Sequence, residues 1–106
     1  MKPTNLFASL PDNLEAEVFE DIVRSPSARI ERILSKGHSS PATGWYDQDE
    51  HEWVLVLEGS ASLLFADGTQ HDLSKGDYIN IPAHTQHKVV WTAPDNLTVW
   101  LAVFYR

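Results

Sequence analysis

Apolar and polar residues alternate in short runs along most of this chain, and turn formers separate the runs about every ten residues. That is the pattern of an all-β sandwich or barrel. The clearest run is Glu52 to Leu57. Parity puts Glu52, Val54 and Val56 on one face and Trp53, Leu55 and Leu57 on the other, so both faces are apolar. Leu97 to Tyr105 repeats this character, with Trp100, Ala102 and Phe104 opposite Val99, Leu101, Val103 and Tyr105. A strand whose outer face met water would carry polar residues there. Two such strands in so short a chain predict a covered face and a homodimer.

Between them, Leu63 to Phe65 and Gln70 to Leu73 flank Asp67-Gly68. That pair suits a two-residue primed hairpin turn. Tyr78 to Ile81 and His87 to Trp91 read as strands, separated by turns at Leu73 to Asp77, Pro82 to Gln86 and Ala93 to Asn96. Upstream, Arg29 to Leu34 is a strand and Ser35 to Gly44 a loop. Glu15 to Arg24 fits either a short helix or a strand. Residues 1–14, broken by Pro3 and Pro11, form an arm whose Leu6, Phe7 and Leu10 can dock on this subunit or another. Residues 15–106 form the one folded domain.

Composition narrows the partners. A chain of 106 residues supports one core. A formal charge of −7 argues against nucleic acid and anionic membranes, which require a basic patch. With no cysteine, neither disulfides nor thiolate metal ligands are available. The N-terminal stretch lacks the continuous apolar region of a signal peptide, and no run approaches membrane-spanning length, so a cytoplasmic protein is expected.

The chemistry lies at two strand ends. One is Tyr46-Asp47-Gln48-Asp49-Glu50-His51-Glu52, and the other is Gly76-Asp77-Tyr78-Ile79-Asn80-Ile81-Pro82-Ala83-His84-Thr85-Gln86-His87. The two resemble the paired motifs of the cupins. Glu52 and Gly59 match the second half of the first motif, and Gly76, Pro82 and His87 are in register with the second. Where the family has His-x-His this chain has Tyr46 and Gln48, or Trp45 and Asp47 at the longer spacing. His84 replaces the Gly after the Pro, and Trp91 replaces the final Asn. The resemblance covers roughly residues 40 to 105. It implies a cupin-type double-stranded β-helix, an antiparallel jelly-roll barrel, and it favours a strand for Glu15 to Arg24.

The same resemblance implies a divalent metal ion (Zn, Fe, Mn or Ni) at the barrel mouth, beside a small-molecule ligand. A first-row metal needs nitrogen and oxygen donors converging on one point. The candidates are Asp47, His51, Glu52, His84 and His87. His87 matches the second-motif histidine. Glu52 faces inward, where a lone carboxylate is costly and a metal, Arg29 or Arg32 would relieve it. His51 is a ligand if the strand begins only at Glu52. Asp47 is a better donor than Gln48, and His84 is a ligand, a proton carrier or a surface residue. If the chain is an enzyme, the resemblance implies dioxygenase, isomerase or lyase chemistry, with His84 or Glu50 moving protons. The rival reading is a metal-free small-molecule sensor, which the missing His-x-His favours. His38 and His71 read as plain surface residues. Trp45, Tyr46, Tyr78 and Trp91 either line a pocket or fill the core.

Overall fold

A computed structural model describes residues 1–106 as an all-β protein of eight strands. They are β1 (Val18–Arg24), β2 (Ala28–Ser35), β3 (His51–Glu58), β4 (Ser60–Phe65), β5 (Gln70–Ser74), β6 (Tyr78–Ile81), β7 (His87–Thr92) and β8 (Thr98–Tyr105). They build a five-stranded sheet in the order β1-β2-β8-β3-β6 and a three-stranded sheet in the order β5-β4-β7. All pairings are antiparallel. No helix is long and apolar enough to cross a membrane.

The two inner faces meet in the core, and strand parity decides what they present. Val54 and Val56 of β3, Trp100 and Ala102 of β8, and Leu63 of β4 are all buried there. The expected alternation therefore holds in β3 and β8. The segment that fitted either a helix or a strand is β1, an edge strand paired with β2. It stays largely exposed, and its Phe19, Ile22 and Val23 face solvent over much of their surface.

The outer face of the large sheet is half-covered. Trp53, Leu55 and Leu57 are partly buried, and the Trp53 ring leans on Tyr78 at a centroid distance of 5.4 Å. Part of the cover is the N-terminal arm, held by Arg32. This residue, 8% exposed, donates from Nη1 to the Leu6 and Ala8 carbonyls at 2.9 and 2.7 Å. Its other nitrogens reach Glu20 Oε1 at 3.2 and 2.7 Å. Arg32 thus points outward, away from the barrel cavity.

The hairpin between β4 and β5 differs from the expected two-residue turn. Gly68 N donates to Phe65 O, Phe65 N donates to Thr69 O, and Gly68 has a φ of 93° while Asp67 is not left-handed. The loop is therefore three residues, a turn closed by a glycine bulge. Asp67 drives the change. Its carboxylate accepts from Thr69 N at 3.0 Å and Thr69 Oγ1 at 2.7 Å, which needs the extra residue.

Gly59 joins β3 to β4 under tighter constraint. Its φ is 90°, and a Cβ there would lie 2.4 Å from Thr98 Oγ1 and 2.7 Å from Thr98 Cα. Thr98 is fully buried and donates to Ser60 O, so it cannot yield. At Gly68 the same Cβ would meet nothing. Gly68→Ala is therefore expected to cost about 1 kcal/mol, the left-handed penalty alone. Gly59→Ala should cost clearly more in the same chemical melt. Equal losses would mean that the Gly59 contact is not rigid.

Candidate functional site

The site is built where the two sheets open, and four side chains at its mouth are set by backbone pairing. Residue 46 forms an isolated bridge with His87, with Tyr46 N donating to His87 O at 2.8 Å and His87 N to Tyr46 O at 3.2 Å. That bridge lays the segment before β3 along the edge of β7. Tyr46 and Gln48 then face the cavity and Asp47 faces away. Glu52 enters from β3, opposite Ile81 of β6 and Phe104 of β8.

Glu52 Oε1 is the meeting point. Gln48 Nε2 donates to it at 2.9 Å, and His87 Nε2 lies 3.4 Å away. Both members of the Glu52–His87 pair are largely shielded from solvent. His87 Nδ1 is 2.8 Å from Thr85 O, and a carbonyl can only accept, so Nδ1 carries a proton. Nε2 then faces the carboxylate, which favours a second proton there. Burial pushes the His87 pKa down, but the hydrogen bonds to Glu52 and the Thr85 carbonyl and the carboxylate charge outweigh it. The net shift is upward.

A second polar group stands on β2. Arg29 and Glu31 share the inward parity of Ile33, and all three line the cavity. The Arg29 guanidinium lies 4.0 Å over the Phe104 ring, and its Nη1 donates to Glu50 Oε1 at 3.0 Å. Burial raises the pKa of Glu31 against the nearby Arg29 charge. Further in, Trp100 Nε1 donates to Ser35 Oγ, which donates to Glu17 Oε2. These groups and the apolar side chains enclose about 280 Å³, lined by 15 residues of which nine are hydrophobic. A cavity of that size suits a compact, mostly apolar ligand.

The five residues expected to bind metal fall in three places. Glu52 and His87 lie together in the cavity. Asp47 and His84 pair with each other outside it at 3.1 Å, largely exposed. Asp47 is turned out because its neighbours Tyr46 and Gln48 are turned in, and His84 sits in a reversal with a left-handed φ of 63°. His51 belongs to β3, so parity sends it away from Glu52. Its Nδ1 accepts from Ala83 N at 3.0 Å, and its ring packs on Tyr105. No three His, Asp or Glu side chains converge. With Gln48 turning its amide nitrogen to Glu52, the residues present do not fit a resident cation.

Two further expectations change. Neither Arg29 nor Arg32 relieves Glu52, since Arg29 goes to Glu31 and Glu50, and Arg32 faces outward. Of the four aromatic residues considered for the pocket, Tyr46 lines it, while Trp45, Tyr78 and Trp91 are exposed outside. Sequence reasoning missed Glu31, Arg29 as a wall residue and Gln48 as a donor. Parity along β2 puts the first two on one face with Ile33, but only the sheet order makes that face the cavity wall.

The family described as the cupin domain matches residues 31–104. Quercetin 2,3-dioxygenase of Bacillus subtilis (strain 168) is 40% identical over 65 residues, which are 60% of this chain and 19% of that protein. The chain thus spans about a fifth of the length of this curated relative. A crystal structure from Ralstonia eutropha JMP134, of a protein provisionally named mannose-6-phosphate isomerase, superposes with a TM-score of 0.94 at 40% identity. The match covers 99% of this chain and 98% of that one. A cupin superfamily protein from Desulfitobacterium hafniense DCB-2 gives a TM-score of 0.79 at 19% identity, over 99% and 92% of the two chains. A cupin family protein of Methanocaldococcus jannaschii with a double-stranded β-helix fold gives 0.71 at 14%, over 91% and 85%. These last two speak to the fold alone.

The His87 shift has a signed consequence. A histidine whose pKa rises on folding stabilises the fold below its unfolded value, near 6.5, and that stability is lost as pH climbs through the raised value. Glu31 is raised as well, so its contribution is lost in the same direction, from 4.5 upward, and the His87→Gln comparison isolates the histidine. The wild-type melting temperature should therefore fall as the pH rises above 6.5. His87→Gln should show a flatter curve over the same range. Parallel curves for the two proteins would place the responsible proton elsewhere.

Proposed function

We propose, on the premise that the chain belongs to the cupin domain family, that its barrel cavity binds a compact small molecule without a resident metal ion. The observation that carries this reading is the arrangement around Glu52 Oε1, which takes a hydrogen bond from Gln48 and faces the His87 imidazole. A cation at the mouth would need that carboxylate and the His87 Nε2 lone pair at once. Both are already engaged with each other, and the remaining candidate ligands point elsewhere.

The activities in the relatives' names transfer only in part. A sugar phosphate would bring a dianion toward Glu17, Glu31 and Glu52, while Arg29 is already paired with Glu31 and Glu50. The cavity therefore suits an uncharged or weakly charged molecule better than a phosphate ester. The reading with a divalent ion, Zn, Fe, Mn or Ni, rests on Glu52 and His87 lying side by side in a shielded mouth. Metal titration separates the two. Wild type should show no saturable one-to-one binding by calorimetry. A Tyr46→His/Gln48→His variant, which adds two imidazoles facing the cavity, should gain it, with a melting temperature that rises with the logarithm of metal concentration. Stoichiometric binding by wild type that disappears in His87→Ala would establish the metal reading instead.

We also propose that a second copy of the chain covers the half-exposed outer sheet face at Trp53, Tyr78 and Val103. Trp53 and Val103 are adjacent on β3 and β8, and the arm held by Arg32 covers another part of that sheet. Sedimentation at micromolar concentration should give twice the 12.0 kDa chain mass. A monomer, or a dimer unaffected by Trp53→Glu, would remove this face as the interface.

A further inference from the structure

Three carboxylates line the cavity, and the protein answers the charge of two. Glu52 faces His87 at 3.4 Å, and Glu31 faces Arg29 at 3.3 Å. Glu17 has no Arg, Lys or His within ion-pair distance. Its one hydrogen bond comes from a neutral group, the Ser35 hydroxyl, which donates to Oε2. The cavity is therefore balanced in charge except at this residue.

Glu17 is nevertheless held in place. It immediately precedes β1, and the register Val18 to Leu34 and Phe19 to Ile33 brings it beside Ser35. Ser35 is fully buried and accepts from the buried Trp100 Nε1 at 3.2 Å. Two buried side chains thus fix Oε2, while Oε1 accepts no hydrogen bond. Oε1 is not sealed inside the protein, because the one unpaired side-chain atom that is sealed belongs to Arg29. Around Glu17 the cavity wall is apolar, with Phe19 next along the strand, Ile33 opposite it and Trp100 paired with Ile33 on β8. Phe19 is more than half exposed and gains cover from anything bound there. β2 and β8 separate β1 from β3, so this point lies apart from Glu52 and the residues matched by the family motifs.

An ammonium group meets both needs at Glu17, supplying the missing charge and a donor for Oε1 in one charge-assisted hydrogen bond. The Phe19 and Trp100 rings beside it are also favourable neighbours for a cation. An alcohol would give the hydrogen bond but no charge. A carboxylate would add a fourth negative group to the cavity. A second positive charge on the ligand would find Glu31 and Glu52 already faced by Arg29 and His87.

We propose that the cavity's ligand is a small primary amine bound as its ammonium ion, with nitrogen on Glu17 and a compact apolar body against Phe19, Ile33 and Trp100. This rests on the reading of the cavity as a small-molecule site and adds the sign and place of the ligand's single charge.

Four molecules of nearly equal shape test it: benzylamine, benzyl alcohol, toluene and benzoate, titrated by calorimetry at neutral pH. Benzylamine, present as its ammonium ion, should bind about tenfold or more tightly than the other three, the effect of one hydrogen bond between charged groups. Glu17→Gln keeps an oxygen for the Ser35 hydroxyl and removes only the charge. It should bring benzylamine to the level of benzyl alcohol and leave toluene unchanged. Glu17→Ala should do the same, and a melt confirms that each variant folds. Toluene binding as tightly as benzylamine, or a preference that survives Glu17→Gln, rules out the anchor and leaves the cavity as a ligand site. Tighter binding of benzyl alcohol or benzoate rules out the cationic class. Failure of all four to bind overturns the small-molecule reading and this proposal with it.

Discussion

Glu52 is a carboxylate that the parity of β3 carries into an apolar barrel, and a charge left unanswered there would cost several kcal/mol. The mouth is organised around meeting that demand. Gln48 supplies a neutral donor and His87 an imidazole held in orientation by the Thr85 carbonyl. Each is brought to Glu52 by backbone pairing: Gln48 by the Tyr46–His87 bridge and His87 by the start of β7. The same bridge turns Asp47 outward to His84. The constraint on one carboxylate therefore determines which nearby polar residues are inside and which are outside.

That solution has a chemical consequence. A carboxylate satisfied by an amide and an imidazole has less to gain from a metal ion than one left bare. One amide hydrogen bond and an imidazole 3.4 Å away meet locally part of what a cation would supply. The second polar centre, on β2, is less complete. Arg29 and Glu31 attract each other at 3.3 Å without a formed hydrogen bond. The two centres thus differ in kind. The one at the mouth gathers on a single carboxylate oxygen, whereas the one on the wall shares Arg29 between Glu31 and Glu50.

Much of the architecture was legible because it follows from period-two patterning. The inward set Glu52, Val54 and Val56 and the inward set Trp100, Ala102 and Phe104 could be read directly, since both strands are long and their partners apolar. The motif glycines and Pro82 pointed to the cupin barrel. What could not be read was the direction of residues in the irregular segment before β3. Whether Asp47 or Gln48 faces inward depends on the register of the Tyr46–His87 bridge, a contact between residues 41 positions apart. His51 was ambiguous because it turned on whether β3 begins one residue earlier. The Asp67-Gly68 dipeptide specified a glycine in the left-handed region but not the loop length, which the Asp67–Thr69 hydrogen bonds decide. Arg29 and Glu31 were visible as charged residues, but only the sheet order shows that their face is the cavity wall.

The central claim is that His87 serves Glu52 as a proton donor and is not held as a free lone pair for a metal. Nitrogen-15 spectra of the His87 side chain at pH 6.5, in the wild-type protein with and without zinc, read this directly. The account predicts that most of the population carries protons on both Nδ1 and Nε2 and that zinc leaves the two signals unmoved. A neutral ring protonated on Nδ1 alone, with an Nε2 signal that shifts on adding zinc, would contradict it.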